Sequence, residues 1–363
     1  MNEKKKRNGF LDFLKLLFAI IIVIGHGDTV FGVALPDKLI PLASFGVEFF
    51  FVVSGAMLLK SIYEQKHTKS IADDTLNFMK HKIKGLLPNY YIAWIFLFII
   101  ISFGKSLKTI ILSFFKAIPE LLFLKISGMP TYAINGNTWY ISAMLLALLI
   151  IYPLVRKNKD FFIKYLAPII SIFGLGYITH NYKSILVIEE WNGFIFFGLI
   201  RAIVEICIGC LSFELSQKLK DIKLTKFGKI IITFIELFFY IGVVIMLFSY
   251  SFRQYCFVLL FVLMIAITIT LSNISYSKDI FSNRIFNWMG KYSYSLYLGH
   301  SIAYSGFIGN YIFNNQFGYS KTLIIYFIVS LMSGLFIMYI SKLFSYVWSK
   351  EKNKIKNLLI VTN

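Results

Sequence analysis

Charge is scarce in this sequence. Of 363 residues only 15% are Asp, Glu, Lys or Arg, where a soluble domain usually carries about a quarter. Acid is scarcer than base: 18 Asp and Glu stand against 37 Lys and Arg, a formal net charge of +19. Hydrophobic residues make up 58%, and the mean hydropathy is +0.71. This composition points away from a soluble domain and towards a polytopic one. Apolar runs of about 20 residues, the length that crosses a bilayer, recur to the end of the chain. A strongly basic balance raises the question of nucleic acid, but no nucleic-acid motif accompanies it. In a membrane chain the same charges mark cytoplasmic loops.

Cysteine is nearly missing as well. Cys207, Cys210 and Cys256 are the whole complement. Cys207-x-x-Cys210 has a metal or redox spacing, but it lies in an apolar segment with no second Cys/His pair, so these read as buried thiols and no metal site is expected. There is no internal repeat, low-complexity tail or second soluble domain, and residues 1–363 read as a single polytopic domain. The first apolar run follows "KKKR" yet lacks a small-x-small cleavage site, so it reads as a retained helix. Lysine outnumbers arginine 32 to 5 and Ile, Phe, Tyr and Asn are abundant, which hints at an AT-rich bacterial genome.

The pattern predicts an all-α integral membrane protein of about ten transmembrane helices: 10–31, 42–60, 86–104, 138–155, 161–179, 193–215, 229–250, 254–273, 292–313 and 321–346. Residues 109–124 are apolar but interrupted by Lys116, Pro119 and Glu120, and read as a re-entrant or interfacial helix within a loop. With both termini cytoplasmic, 25 basic residues fall inside and 8 outside, the asymmetry the positive-inside rule requires.

Ionisable residues inside such spans are costly, so each is a functional candidate. Lys15 and His26 are eleven residues apart, three helical turns plus about 20°, and share one face about 16 Å apart along the axis. Asp12 and Lys15 form an i, i+3 pair. Gly25 and Gly27 leave room beside His26 for a substrate or another backbone, and Asp28 either orients the imidazole or is a solvated loop acid. Glu48 interrupts a run otherwise fit for lipid and should face the interior, paired with a cation or protonated. Ser54-Gly55 lacks the flanking pattern of a serine-hydrolase elbow. Lys80, Lys82 and Lys84 crowd the inner mouth of the third span, as topology signals or as a phosphate site. Trp139 and Tyr140 open the fourth span where interfacial aromatics are common. Arg201 and Glu205 are an i, i+4 pair. His300, about eight residues into the ninth span, is either a structural hydrogen-bonder or a second site residue.

Taken in order, these pieces resemble the acyltransferase-3 family of bacterial membrane acyltransferases. The basic residue, ten-residue spacer and histidine are Lys15 and His26. The G-V-D/E-x-F-F-x-x-S-G block is Gly46 to Gly55, with Glu48 at its acid. A basic stretch precedes Pro88, Trp139-Tyr140 open a later span, and the late S-Y-x-x-Y-L-x-H block runs from Ser293 to His300. The family's R-x-x-R before the proline falls on Lys82 and Gly85.

The resemblance implies a membrane O-acyltransferase of the bacterial plasma membrane. Acetyl-CoA or another acyl-CoA would be the cytosolic donor, and a hydroxyl of a surface or cell-wall glycan, or of a lipid-linked saccharide, the acceptor. His26 and Lys15 would be catalytic and Glu48, Trp139, Arg201 and His300 supporting, with Lys80, Lys82 and Lys84 at the coenzyme. Neither metal nor nucleic acid is implied. His26 would act as general base or as covalent acyl carrier. The rival reading, a transporter or flippase of a glycan precursor, lacks the inverted repeat and paired broken helices of that class.

Overall fold

A computed structural model describes residues 7–31, 46–65, 69–182, 190–248, 256–314 and 318–361. They are helical almost throughout, with no β-strand among them beyond one isolated pairing of Trp191 with Phe196. In chain order the helices are α1 (Gly9–Phe31), α2 (Gly46–Glu64), α3 (Ile71–Ser102), α4 (Leu107–Lys116), α5 (Ile118–Leu121), α6 (Trp139–Lys157) and α7 (Lys159–Phe161). There follow α8 (Ala167–Tyr182), α9 (Phe197–Lys220), α10 (Lys226–Leu247), α11 (Cys256–Ser272), α12 (Ser277–Ile280), α13 (Arg284–Gly299), α14 (Gly306–Asn314) and α15 (Tyr319–Val361).

Short polar residues start several of them. Ser70 accepts from the Asp73 amide ahead of α3, Thr225 from Gly228 ahead of α10, and Asn283 from Ile285 ahead of α13, each satisfying a donor that the first turn leaves free.

Among the described residues, seven helical stretches are long and apolar enough to cross a membrane: Gly9–Gly27, Gly46–Glu64, Ile71–Ser102, Gly136–Lys157, Lys159–Asn181, Lys226–Leu247 and Ser320–Glu351. Each coincides with an expected span. The other three expected spans differ for physical reasons. Helix α9 is long enough but carries Arg201, Glu205 and Glu214, and α11 has only 17 residues. The ninth span is not one helix. It stops at Gly299, tightens into a 3-10 turn over His300–Tyr304 and resumes as α14 after Gly306, whose φ of +53° a residue with a side chain rarely adopts. The interrupted segment 109–124 forms α4 and α5, ten and four residues, too short to cross about 30 Å of hydrocarbon.

Two helix pairs organise the interior: α2 runs along α9, and α1 along α13. The first contact depends on glycine. A Cβ on Gly55 would strike the Ile206 carbonyl, and one on Gly209 would strike the Val52 carbonyl, so the two backbones touch. Phe50 packs against all three hydrophobic clusters and marks where these pairs meet.

Candidate active site

Helix periodicity places Lys15 and His26 on one face of α1, and tertiary packing gives each a different environment. His26 is partly buried, and its Nδ1 lies 2.9 Å from the Ile22 carbonyl. A carbonyl can only accept, so Nδ1 carries the proton and a neutral ring keeps its lone pair on Nε2. The His300 ring lies 5.0 Å away, centroid to centroid, tilted by 55°. His300 is fully buried, its Nδ1 donates to the Tyr297 carbonyl at 2.6 Å, and its Nε2 accepts from the Asn137 amide at 3.0 Å. The 3-10 turn that interrupts the ninth span therefore begins at the histidine that meets α1.

The glycines beside His26 leave less room than the sequence implies. The Tyr326 ring of α15 occupies the space a Cβ on Gly27 would need, and its hydroxyl donates to the Val23 carbonyl at 2.9 Å. The Asp28 and Cys256 side chains lie outside the described residues. Cys207 and Cys210 are buried free thiols.

One layer further into the bundle sits an ionic cluster. Arg201 is completely buried and is held by Glu48 of α2 and, at 3.1 Å, by Glu205 one turn along its own helix. The Trp139 ring lies under the guanidinium, 5.4 Å from centroid to Cζ, a cation–π contact. Trp139 and Tyr140 are thus buried in the core, not an interfacial belt. Tyr140 links this layer to α13 through an edge contact with Tyr297 at 5.7 Å. Gly46, two residues before Glu48, packs on Ile22, whose carbonyl holds His26.

At the other end of the shared α1 face, Lys15 Nζ donates to Asp12 at 3.0 Å, and Arg7 donates to the same oxygen at 2.8 Å. Lys15 opens into a cleft of about 570 Å³ with Arg7, Lys60, Lys220 and Lys278, five cations against Asp12 and Glu64. A second cleft of about 560 Å³ shares Met57 and Glu64 with it and adds Lys69, His81 and Lys82. Its acids are Glu64 and Asp74, and Asp74 is paired with Arg156 at 2.9 Å, which leaves Lys69 and Lys82 against Glu64.

Of the lysines expected to act together, Lys82 lines the second of these clefts. Lys80 and Lys84 are exposed, because residues four apart share a helix face and the one between them points the other way. Lys60, Lys220 and Lys278 join the cleft from helices far apart in sequence, and nothing local signals their meeting. Between the two ends of the face, Ala19 and Ile22 are fully buried and close the direct line from Lys15 to His26.

Sequence reasoning also missed Glu120, which it read only as an interruption. Glu120 is fully buried and accepts from Trp94, Ile134, Asn135 and Thr138. Its signal was present: an acid in an apolar run that is not a span still needs a partner.

The acyltransferase-3 family profile, described as an acyltransferase domain, matches residues 8–342. The chain belongs to the acyltransferase-3 family. No curated protein and no solved structure matches it. The matched region begins just before α1 and contains Lys15, His26, Glu48, Trp139, Arg201 and His300. The acyltransferase is accordingly a multi-pass helical enzyme that contains a histidine pair beside a buried ionic cluster and, at the other end of α1, a cationic cleft. Among the described residues, no group of His, Cys, Asp or Glu is placed to hold a metal ion.

Removing one member of a buried ionic cluster strands its partners, whereas replacing the whole cluster with neutral groups does not. Arg201→Met should lower the unfolding free energy of the acyltransferase by about 3–5 kcal/mol, and the combined Arg201→Met, Glu48→Gln, Glu205→Gln variant should recover most of that loss. Denaturant titration in detergent micelles, followed by tryptophan fluorescence, reads both.

Proposed function

We propose that the enzyme transfers an acyl group, acetyl in the simplest case, from cytosolic acyl-CoA to a hydroxyl of a glycan or lipid-linked saccharide at the far side of a bacterial plasma membrane. In this reading the chain is one domain of ten spans with both termini cytoplasmic. The observation that carries it is the α1 face: one end, Lys15, opens into a cleft with a surplus of cations, and the other, His26, stands 5.0 Å from His300.

Phosphates of the coenzyme would be met at the cationic cleft, where charge-assisted hydrogen bonds are strongest. Lys15, held by Asp12, supplies a fixed positive charge at the inner end of the route. The thioester then passes Ala19 and Ile22, which must part to admit it. At His26 the acceptor hydroxyl attacks the thioester carbonyl while Nε2 takes its proton. The carbon–sulfur bond breaks, and the leaving coenzyme thiolate takes that proton from His26, which returns to its neutral form. A histidine whose Nδ1–H is already committed to a carbonyl offers the right nitrogen for that step. The Arg201 cluster contributes by fixing α2, α6 and α9 around the histidines.

Two outcomes test the two ends. For the donor end, Lys60→Ala with Lys278→Ala should weaken acyl-CoA binding at least about tenfold, since each contact to phosphate is worth roughly 1.5–3 kcal/mol. Lys80→Ala with Lys84→Ala should leave it within about twofold. Calorimetric titration separates the pairs, and equal effects would dissociate the cleft from the donor. For the transfer end, His26→Ala should reduce glycan acylation by a factor of about 10² to 10⁴, the usual cost of losing a general base. Lys15→Arg should keep most of the activity that Lys15→Ala loses. Mass spectrometry of glycans from cells with matched membrane levels measures this, and near wild-type acylation by His26→Ala would remove His26 from the mechanism.

A further inference from the structure

We propose that Glu120 is a positioning residue for acyl transfer, acting through Asn137 on His300; this rests on the reading of the histidine pair given above. The segment that carries Glu120 is mostly exposed apolar surface, including Leu107, Ile111, Phe115 and Leu122, yet Glu120 itself is fully buried. One carboxylate oxygen accepts from the Asn135 amide at 2.9 Å and the Thr138 hydroxyl at 2.7 Å. The other accepts from the Ile134 amide at 2.7 Å and the Trp94 indole at 3.1 Å. Three of the four partners are N–H groups, which can only donate, and the Thr138 hydroxyl also lies 2.7 Å from the Asn135 carbonyl; a carboxylate has an acceptor for every one of them. Residues 134–138 are thereby drawn onto α5 and α3 as a shelf, and Lys125 holds the same stretch by donating to the Gly136 carbonyl at 2.6 Å.

The shelf is docked on the helix that carries His300. Asn135 donates to the Leu298 carbonyl at 3.1 Å and accepts from Ser301 at 3.1 Å, and the Tyr297 hydroxyl donates to the Asn137 carbonyl at 2.5 Å. Asn137 is tied into the same network. Its main-chain N–H donates to the Asn135 side chain, and its amide NH2 donates to the His300 Nε2 at 3.0 Å and the Tyr304 hydroxyl at 2.8 Å. With the proton on Nδ1 fixed by the Tyr297 carbonyl, a second proton arriving at Nε2 would face the Asn137 donor. The shelf therefore holds His300 in one tautomer, uncharged, so that it neither takes the proton meant for His26 nor places a cation beside it. The titratable groups facing His300 are His26 from α1, Tyr297 from its own helix and Tyr304 from the turn that follows, with Tyr326 of α15 beyond Tyr304.

Glu120→Gln is the discriminating change. It keeps the shape but turns an NH2 towards at least one N–H donor whichever way the amide is placed, so the shelf loosens without a cavity. Asn137→Ala removes the donor at His300 directly and leaves the shelf's other bonds in place. Both variants, their combination and the unaltered full-length enzyme would be compared in detergent. The readings are acyl-transfer rate against pH, and 15N-histidine NMR of the His300 ring, assigned by its loss in His300→Ala. Each single variant should lower kcat at least about tenfold, with the KM for acyl-CoA within twofold because the donor cleft is remote. The fall in rate on the acid side should begin at higher pH, where a released His300 now protonates. The double variant should be no worse than Asn137→Ala alone, and the NMR signal should change from the Nδ1–H form to a mixture. Additive losses, an unmoved pH profile or an unchanged tautomer in Glu120→Gln would overturn the proposal. A fixed tautomer that Glu120→Gln releases, in an enzyme that transfers no acyl group, would uphold the positioning and defeat the functional reading instead.

Discussion

A guanidinium with no access to water must find its counter-charges inside the protein, and Arg201 finds them on two helices. Glu205 is supplied by its own helix one turn away, and Glu48 comes from α2. The backbones of α2 and α9 can approach closely enough for this because Gly55 and Gly209 carry no side chain. Trp139 covers the guanidinium and so registers the start of α6 against the same pair. From that start, Asn137 and Thr138 reach back towards α13 and α5. The geometry at the histidines thus follows from where a buried charge could be accommodated. Isolated ion pairs of this kind contribute little net stability, which leaves the fixing of helix register as their contribution.

The interior is divided by a short apolar stretch. Polar groups gather at the Lys15 end and at the His26 end of α1, about three turns apart, and Ala19 and Ile22 between them are sealed. In the proposed transfer this packing has to open for the acyl group to pass. Phe50, which touches all three hydrophobic clusters, and Tyr140 beside it at 6.1 Å lie where such an opening would be felt.

Much of this was legible in the sequence, and the failures share a cause. The common face of Lys15 and His26 follows from helical periodicity alone, and the Arg201–Glu205 pair from its spacing. Glu48 was conspicuous in a lipid-grade run, but its partner lies 153 residues away and no local pattern points to it. Trp139 reads equally well as an interfacial aromatic or as the floor of a buried cation, because both environments favour a large ring with a polar edge. Lys80, Lys82 and Lys84 are neighbours in sequence but not on one face, whereas the cations that share the cleft come from separate helices. The break at His300 sits in a segment whose hydropathy suits a continuous span. It becomes visible only when the Asn135 side chain takes the Leu298 carbonyl and the His300 ring takes the Tyr297 carbonyl, groups that a regular helix would have kept.

The central claim is that one α1 face carries an acyl group from a cationic mouth on one side of the membrane to a histidine pair that serves an acceptor on the other. Proteoliposomes with uniformly oriented enzyme test it most directly. Labelled acyl-CoA is supplied only on the side of the chain termini and a saccharide acceptor only on the opposite side, with a membrane-impermeant label confirming the orientation. The account predicts labelled ester on the acceptor side, abolished by His26→Ala. Ester formed only when donor and acceptor share one compartment would contradict it.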